Sequence, residues 1–372
     1  MDFRLTEDQE ALRRGMRELL ETRFDRAALR GAVDGAEQGA SLDAALWREL
    51  GESGLFALRA PESAGGVGLG LPEAVLVFEE AGRALLPGPL VASHLAGSAG
   101  LVAGAADGSV VVTAAEQGVR CPGRDGDSAP LVEHLEAAGA VLLLGEGKEV
   151  GVLAPGELTA APIRSVDPLT PLHRIDGWAG EDTDAAEAAE GTDAADVVEA
   201  AEGMDAADVA EAAEGMGATV TGARSAVDSA ALRREAVLLT AAQQLGSACR
   251  TLELAVGYAR EREQFGRPIG AFQAVQQLCA GMLVRSETAR SVVYAAAVTA
   301  DDEEVCAAKL LADAAAVGNA RDCLQIHGGM GFTWEADVHL HLKRAWLRTE
   351  QWRTAVTSEE QLASALLRPM CR

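Results

Sequence analysis

Two segments carry residue types whose spacing could do chemistry. The first, REREQFGRPIGAFQ at positions 260–273, gathers arginines, phenylalanines and glutamines around a Gly-Pro turn. A guanidinium clamps a diphosphate through a planar fork of donors. An aromatic ring stacks on an adenine, and a carboxamide reads polar edges. The second, QIHGGMGFTWE at 325–335, has three glycines in four residues, which lets a ligand or another chain come close to bare backbone. Spacing alone equally gives an ordinary inter-helix loop for the first segment and a helix C-cap with a tight turn for the second. His327 by itself is more often a structural histidine than a catalyst. Asp337, His339 and His341 follow closely, but the two histidines are two apart and fall on different helix faces, so no metal set is expected.

The elements that must position these segments read mainly as helices. Thr6-Glu7-Asp8-Gln9 matches a capping box, with Leu12, Met16, Leu19 and Leu20 following at helical spacing. A second helix is expected near Ser41–Glu52. The run Pro61–Gly70 is a glycine-rich loop without a preceding strand or a Lys-Ser/Thr, so no phosphate cradle is expected there. Pro72 opens a further helix that ends before Pro87-Gly88-Pro89. From Val110 the texture changes to short apolar runs, Val110–Thr113, Ala140–Leu144 and Glu149–Ala154, read as strands with a hairpin turn at Gly145–Lys148. Beyond Ser229 the pattern predicts helices over about 230–262, 272–300, 301–327 (Asp301 as cap) and 336–352. Long helices on short loops suggest a four-helix bundle.

The formal net charge of −25 argues against nucleic acid as a partner. The charge is concentrated: thirteen acidic residues and no basic one lie between Glu181 and Glu214, where Glu-Ala-Ala-Glu-Gly recurs at 187, 199 and 211. This stretch reads as an acidic, mobile low-complexity insertion. No run of about 18 apolar residues occurs, the start MDFRLTEDQE is no signal peptide, and the six cysteines form no CxxC. A cytoplasmic location with free thiols is the expectation.

Taken together, REREQFGRPIGAFQ and QIHGGMGFTWE resemble the acyl-CoA dehydrogenase family, in particular a bacterial subgroup with a GGxGFTWE-like run. MDFRLTEDQEALR, LWRELGESGLFALRAPESAGGVGLGLPEAVLVFEEAGRAL and VDPLTPLHRID extend the likeness over most of the chain outside the insertion. The resemblance implies an N-terminal helical domain (1–109), a small middle β domain (110–180) and a C-terminal helical bundle (218–372), with the acidic insertion (181–217) between the last two. It implies FAD as cofactor, bound at a subunit contact of a homo- or hetero-oligomer, dimer or tetramer. Matching positions assign the diphosphate and adenine contacts to Arg262, Phe265 and Gln273, and contacts to a neighbouring subunit's FAD to Gln325, Gly328 and Gly329.

The reaction implied is α,β-desaturation of an acyl thioester, with electron-transfer flavoprotein or oxygen as final acceptor. A carboxylate takes the α proton and the β hydrogen leaves as hydride to the flavin. The family's two base positions fall, by ungapped counting, on Trp352 and Ala236. The nearest carboxylates are Glu350, two residues early and about 200° round a helix, and Glu235, one residue early and about 100° round. Glu235 and Glu350 are therefore the candidate bases. Thr113-Ala114-Ala115-Glu116-Gln117-Gly118 is a faint echo of the family's flavin loop. Two alternatives follow: a base-lacking partner subunit of a hetero-oligomer, or a repurposed flavin oxidase or monooxygenase on the same scaffold.

Overall fold

The computed structural model describes residues 4–37, 42–116, 129–145, 149–178, 223–225 and 227–367. The acidic repeats, Gln117-Gly118 and the tip of the expected 145–148 hairpin lie outside them.

Five helices form the N-terminal part: α1 (Glu7–Arg23), α2 (Arg26–Glu37), α3 (Ala44–Glu52), α4 (Leu71–Arg83) and α5 (Leu90–Ser98). The capping box starts α1 as expected, with Gln9 N–H donating to Thr6 Oγ1 at 3.2 Å and Thr6 N–H to Gln9 Oε1 at 3.1 Å. α3 begins later than its expected Ser41, because the Asp43 carboxylate caps it by accepting from Ala45 and Leu46 N–H. α2 and α5 were not read from the sequence. Trp47 of α3 and Phe56 pack ring to ring at 4.6 Å, both buried.

Two small sheets follow. β1 (Val112–Glu116), β3 (Ala140–Leu144), β4 (Val150–Leu153) and β7 (Ala223–Ser225) make one; β2 (Leu131–Glu133), β6 (Leu172–Trp178) and β5 (Leu158–Ile163) make the other. β1 runs parallel to β3, and the remaining pairs are antiparallel. Alternate residues of β3 serve two cores. Val141 and Leu143 pack with Val132 and Ile175 of the second sheet, whereas Ala140, Leu142 and Leu144 join the helical core. A strand covered on both faces needs apolar residues throughout, which is why β3 reads Ala-Val-Leu-Leu-Leu. The sequence reading placed 223–225 with the C-terminal bundle. The structure instead pairs these residues with Val150–Val152, so the sheet closes after the acidic insertion.

The C-terminal part holds α6 (Ser229–Glu261), α7 (Gln273–Thr299), α8 (Asp302–His327) and α9 (Val338–Glu350), close to the four expected helices. A further helix, α10 (Ala355–Leu367), was not foreseen. α6 is the spine. At its start Ser229 Oγ donates to Gly145 C=O at 3.0 Å, tying it to the sheet. Midway it crosses α4 backbone to backbone: a Cβ on Gly246 would stand 1.8 Å from Glu79 O, and one on Gly82 2.0 Å from Gln243 O. At its far end the chain turns through a β8–β9 hairpin (Glu263–Gln264, Arg267–Pro268) into α7. No helix among the described residues is long and apolar enough to cross a membrane.

Candidate functional site

The predicted site residues fall at the two ends of α6. At the far end, Arg262 is exposed and ends the helix by donating its backbone N–H to Tyr258 C=O. Phe265 and Gly266 occupy the two central positions of the hairpin turn with φ of +54° and +74°. Such primed turns match the twist of the strands, and a Phe at positive φ is held there by them. The Phe265 ring is 92% exposed, edge-on to Phe272 at 6.1 Å, and the Arg267 guanidinium lies 4.3 Å over Phe272. Gln273 and Gln325 are exposed too. Gly328 caps α8 at φ +60°, a conformation open to glycine, and added Cβ atoms on Gly328 or Gly329 would meet nothing within 4 Å. The two motifs belong to one end of the bundle, since His327 stacks on Tyr258 at 4.1 Å. His327 is structural here: its Nδ1 donates to Cys323 C=O at 2.8 Å.

The candidate bases lie near the other end. Glu235 is largely buried, its side chain 11% exposed, and engaged. Arg59 Nη1 donates to its Oε2, and the fully buried His94 presents Nε2 at 3.4 Å from Oε1. Burial alone would raise this carboxyl's pKa, but the facing His94 and Arg59 hold it below the ordinary value. Ala236 is packed in the core. Glu350 is exposed, at the last residue of α9, with Thr349 Oγ1 at 3.4 Å. Trp352 follows at φ +63°, close to the Glu116 carboxylate.

Around Trp352 the structure gathers charges that sequence reasoning missed. Arg233 Nη2 donates to Glu116 at 3.0 Å. Gln351 Nε2 donates to Glu133 at 3.1 Å. Arg344 pairs with Asp167. Arg348 is buried with Nη1 unpartnered, and burial with the neighbouring Arg344 lowers its pKa to about 9. The fully buried Lys309 donates to Arg348 C=O at 2.9 Å and to Asp313 at 2.5 Å, pinning the last turn of α9. The cavity bounded here by Glu133, Gln243, Arg344, Arg348 and Trp352 has about 10 Å³, room for a single water. One signal for this network stood in the sequence: Lys309 and Asp313 sit four apart in an otherwise Ala- and Leu-rich helix. Asp337, His339 and His341 part ways. Asp337 pairs with Arg26 and Arg30, His339 stacks on Trp334 at 4.8 Å, and His341 shares a 2.8 Å hydrogen bond with Ser247.

Known proteins match over nearly the whole of this framework. The acyl-CoA dehydrogenase N-terminal domain matches residues 6–107 and the C-terminal domain residues 221–350. The acyl-CoA dehydrogenase IpdE2 of Mycolicibacterium smegmatis is 31% identical over 342 residues, 92% of this chain and 93% of that protein. The chain belongs to the acyl-CoA dehydrogenase family. The acyl-CoA dehydrogenase FadE34 of Mycobacterium tuberculosis is 33% identical over 92% of this chain but only 45% of its own length, so the chain spans about half of it. Among solved structures, the ChsE4-ChsE5 complex from Mycobacterium tuberculosis superposes with a TM-score of 0.74 at 24% identity, covering 98% of this chain and 99% of that one. PigA with FAD and proline superposes with a TM-score of 0.73 at 17% identity, covering 98% and 99%. FAD is the cofactor of this acyl-CoA dehydrogenase family.

The residues at the far end of α6 suit the adenosine half of that dinucleotide: an exposed guanidinium, an exposed ring and uncovered glycine backbone. The ion pairs around Trp352 leave no comparable opening among the described residues.

Proposed function

We propose that this chain is a subunit of an FAD-dependent acyl-CoA dehydrogenase assembly and supplies the far end of α6 to FAD held chiefly by a neighbouring, base-bearing chain. The observation that carries the reading is the state of the carboxylates. Glu235 is held as an ionised partner of Arg59, and Glu350 is exposed at a helix end. A base for an α C–H needs a dry site and a raised pKa, and neither carboxylate combines the two. Bound FAD would supply the hydride acceptor. This chain's part is to grip and orient: Arg262 neutralises diphosphate charge, Phe265 covers the adenine, and the Gly328–Gly329 backbone admits the dinucleotide closely. The substrate class is an acyl-CoA thioester, and electron-transfer flavoprotein or oxygen takes the electrons onward.

One observation favours a second reading, a dehydrogenase active alone: Glu235 Oε1 is enclosed beside His94 Nε2 at 3.4 Å, with no closer partner, which puts a carboxylate oxygen in a dry place. The test purifies the chain alone and co-expressed with a base-bearing chain of the family. Flavin absorbance and its bleaching by acyl-CoA are then followed. The proposal expects bleachable flavin only in the pair, and flavin lost from the pair on Arg262→Ala. Stoichiometric FAD in the isolated chain, bleached by acyl-CoA, would overturn it. Loss of that bleaching in Glu235→Gln or in Glu350→Gln would then identify the base.

A further inference from the structure

Leu29 and Val33 of α2 are buried in the helical core, and Arg26 and Arg30 stand beside them at helical spacing. Two arginines four apart repel one another on a helix, yet both turn to a single carboxylate. Arg26 Nε donates to Asp337 Oδ2 at 2.5 Å and Arg30 Nε to Asp337 Oδ1 at 2.6 Å. Arg26 Nη2 also donates to Glu335 C=O at 3.0 Å. The side chains of Arg30 and Asp337 are each 19% exposed, so their pair is largely shielded from water, whereas that of Arg26 is 70% exposed.

Asp337 stands at the N-cap of α9, where an Asp side chain ordinarily accepts from the first helical N–H groups. It makes no such bond; its two oxygens go to α2 instead. The carboxylate forgoes the local interaction its position favours and serves a helix at the other end of the sequence. Directly before it runs the glycine segment. Gly328–Phe332 form a short 3-10 helix, with Met330, Phe332 and Trp334 exposed. Inside the segment, Thr333 N–H and Oγ1 both donate to Met330 C=O, and Ala336 N–H donates to Thr333 C=O. Trp334 stacks on His339 and meets Lys343, both of the adjoining α9. Among the described residues, each hydrogen bond or ion pair that joins 328–337 to a distant part of the chain comes from Arg26 or Arg30.

We infer that α2 is the clamp of the glycine segment, and that Asp337 is the positioning residue through which it holds Gly328 and Gly329 in place for the neighbouring chain's FAD. The inference rests on the assembly proposed above. A backbone surface that receives a dinucleotide binds it better when already rigid, since ordering it on binding subtracts from affinity. The two glycines do not supply that rigidity, having no side chains and open space where a Cβ would stand. α8 fixes the entry of the segment, and the arginine pair of α2 fixes its exit.

The test titrates FAD into the flavin-depleted pair of chains, wild type and variants, and follows amide hydrogen exchange in this chain alone. Asp337→Asn should weaken FAD binding about tenfold, the fold-change one charge-assisted hydrogen bond makes. Arg30→Gln should match it, and the double variant should bind no more weakly than either single one. Asp337→Glu, which keeps the charge, should recover most of the affinity. In Asp337→Asn, exchange should quicken over 328–337 and not in α6 or α8, with Tm unchanged. Equal FAD affinity in Asp337→Asn and wild type, a loss that Arg30→Gln does not share, or exchange that quickens throughout the chain would each overturn the inference. A wild-type pair that takes up no FAD would overturn the assembly reading as well, which sets the two failures apart.

Discussion

Glu235 and Arg262 show how differently two charged residues of one helix are used. Glu235 is locked between Arg59 and His94, so its loss should be felt in stability. Glu235→Gln is expected to cost about 1–2 kcal/mol at pH 7, a figure kept low because Arg59 remains one-third exposed and can rehydrate. The folded-state pKa of Glu235 is depressed, so this contribution is present above the ordinary carboxylate pKa and disappears as pH falls through the depressed value. Urea unfolding of wild type and variant at pH 7 and pH 4 checks it, with a smaller gap at pH 4. Arg262, exposed at its helix end, should behave oppositely. Arg262→Ala should change the stability of the isolated chain by less than about 0.5 kcal/mol, read by thermal unfolding.

Among the elements, the crossing of α4 and α6 is the least forgiving contact. Gly246→Ala would drive a methyl into Glu79 C=O, so the helices must part, at an expected cost of about 3 kcal/mol or more. Gly257→Ala on the same helix meets nothing within 4 Å and should stabilise by up to about 1 kcal/mol. Opposite shifts in Tm for two identical substitutions would confirm the crossing; equal shifts would refute it. In α8, Lys309→Ala strands the buried Asp313 and is expected to cost about 3 kcal/mol, with Lys309→Ala/Asp313→Ala recovering part of it in a double-mutant cycle. How much was legible in the sequence follows from the same physics. The starts of α1 and α8 were readable to within a residue because Thr6 and Asp301 cap them. α5 was not, because Leu90–Gly97 is buried all round and shows no periodicity. β7 has three residues and pairs across a long insertion, which local pattern cannot anticipate. The far end of α6 was legible because its residues are contiguous. The network at Trp352 was not, because Glu116, Glu133, Arg233 and Arg348 come together only in three dimensions.

Taken whole, the molecule buries histidines that it keeps neutral. Burial lowers the pKa of His134 and His341 to about 3 and that of His339 to about 4. The unfolded chain takes up these protons near pH 6.5 and the folded chain does not, so stability falls as pH drops from about 6.5 toward 4. Three such groups give a slope of up to about 4 kcal/mol per pH unit. Tm measured from pH 7.5 to 5 should fall steeply below pH 6.5, and His341→Gln should flatten the fall. Nearly naked in water, the Phe265 ring, together with Phe332 at 76% exposure, has a practical corollary. A batch made without companions should cling to phenyl resin and cloud on standing, whereas the same polypeptide produced beside its mate should pass through the column freely.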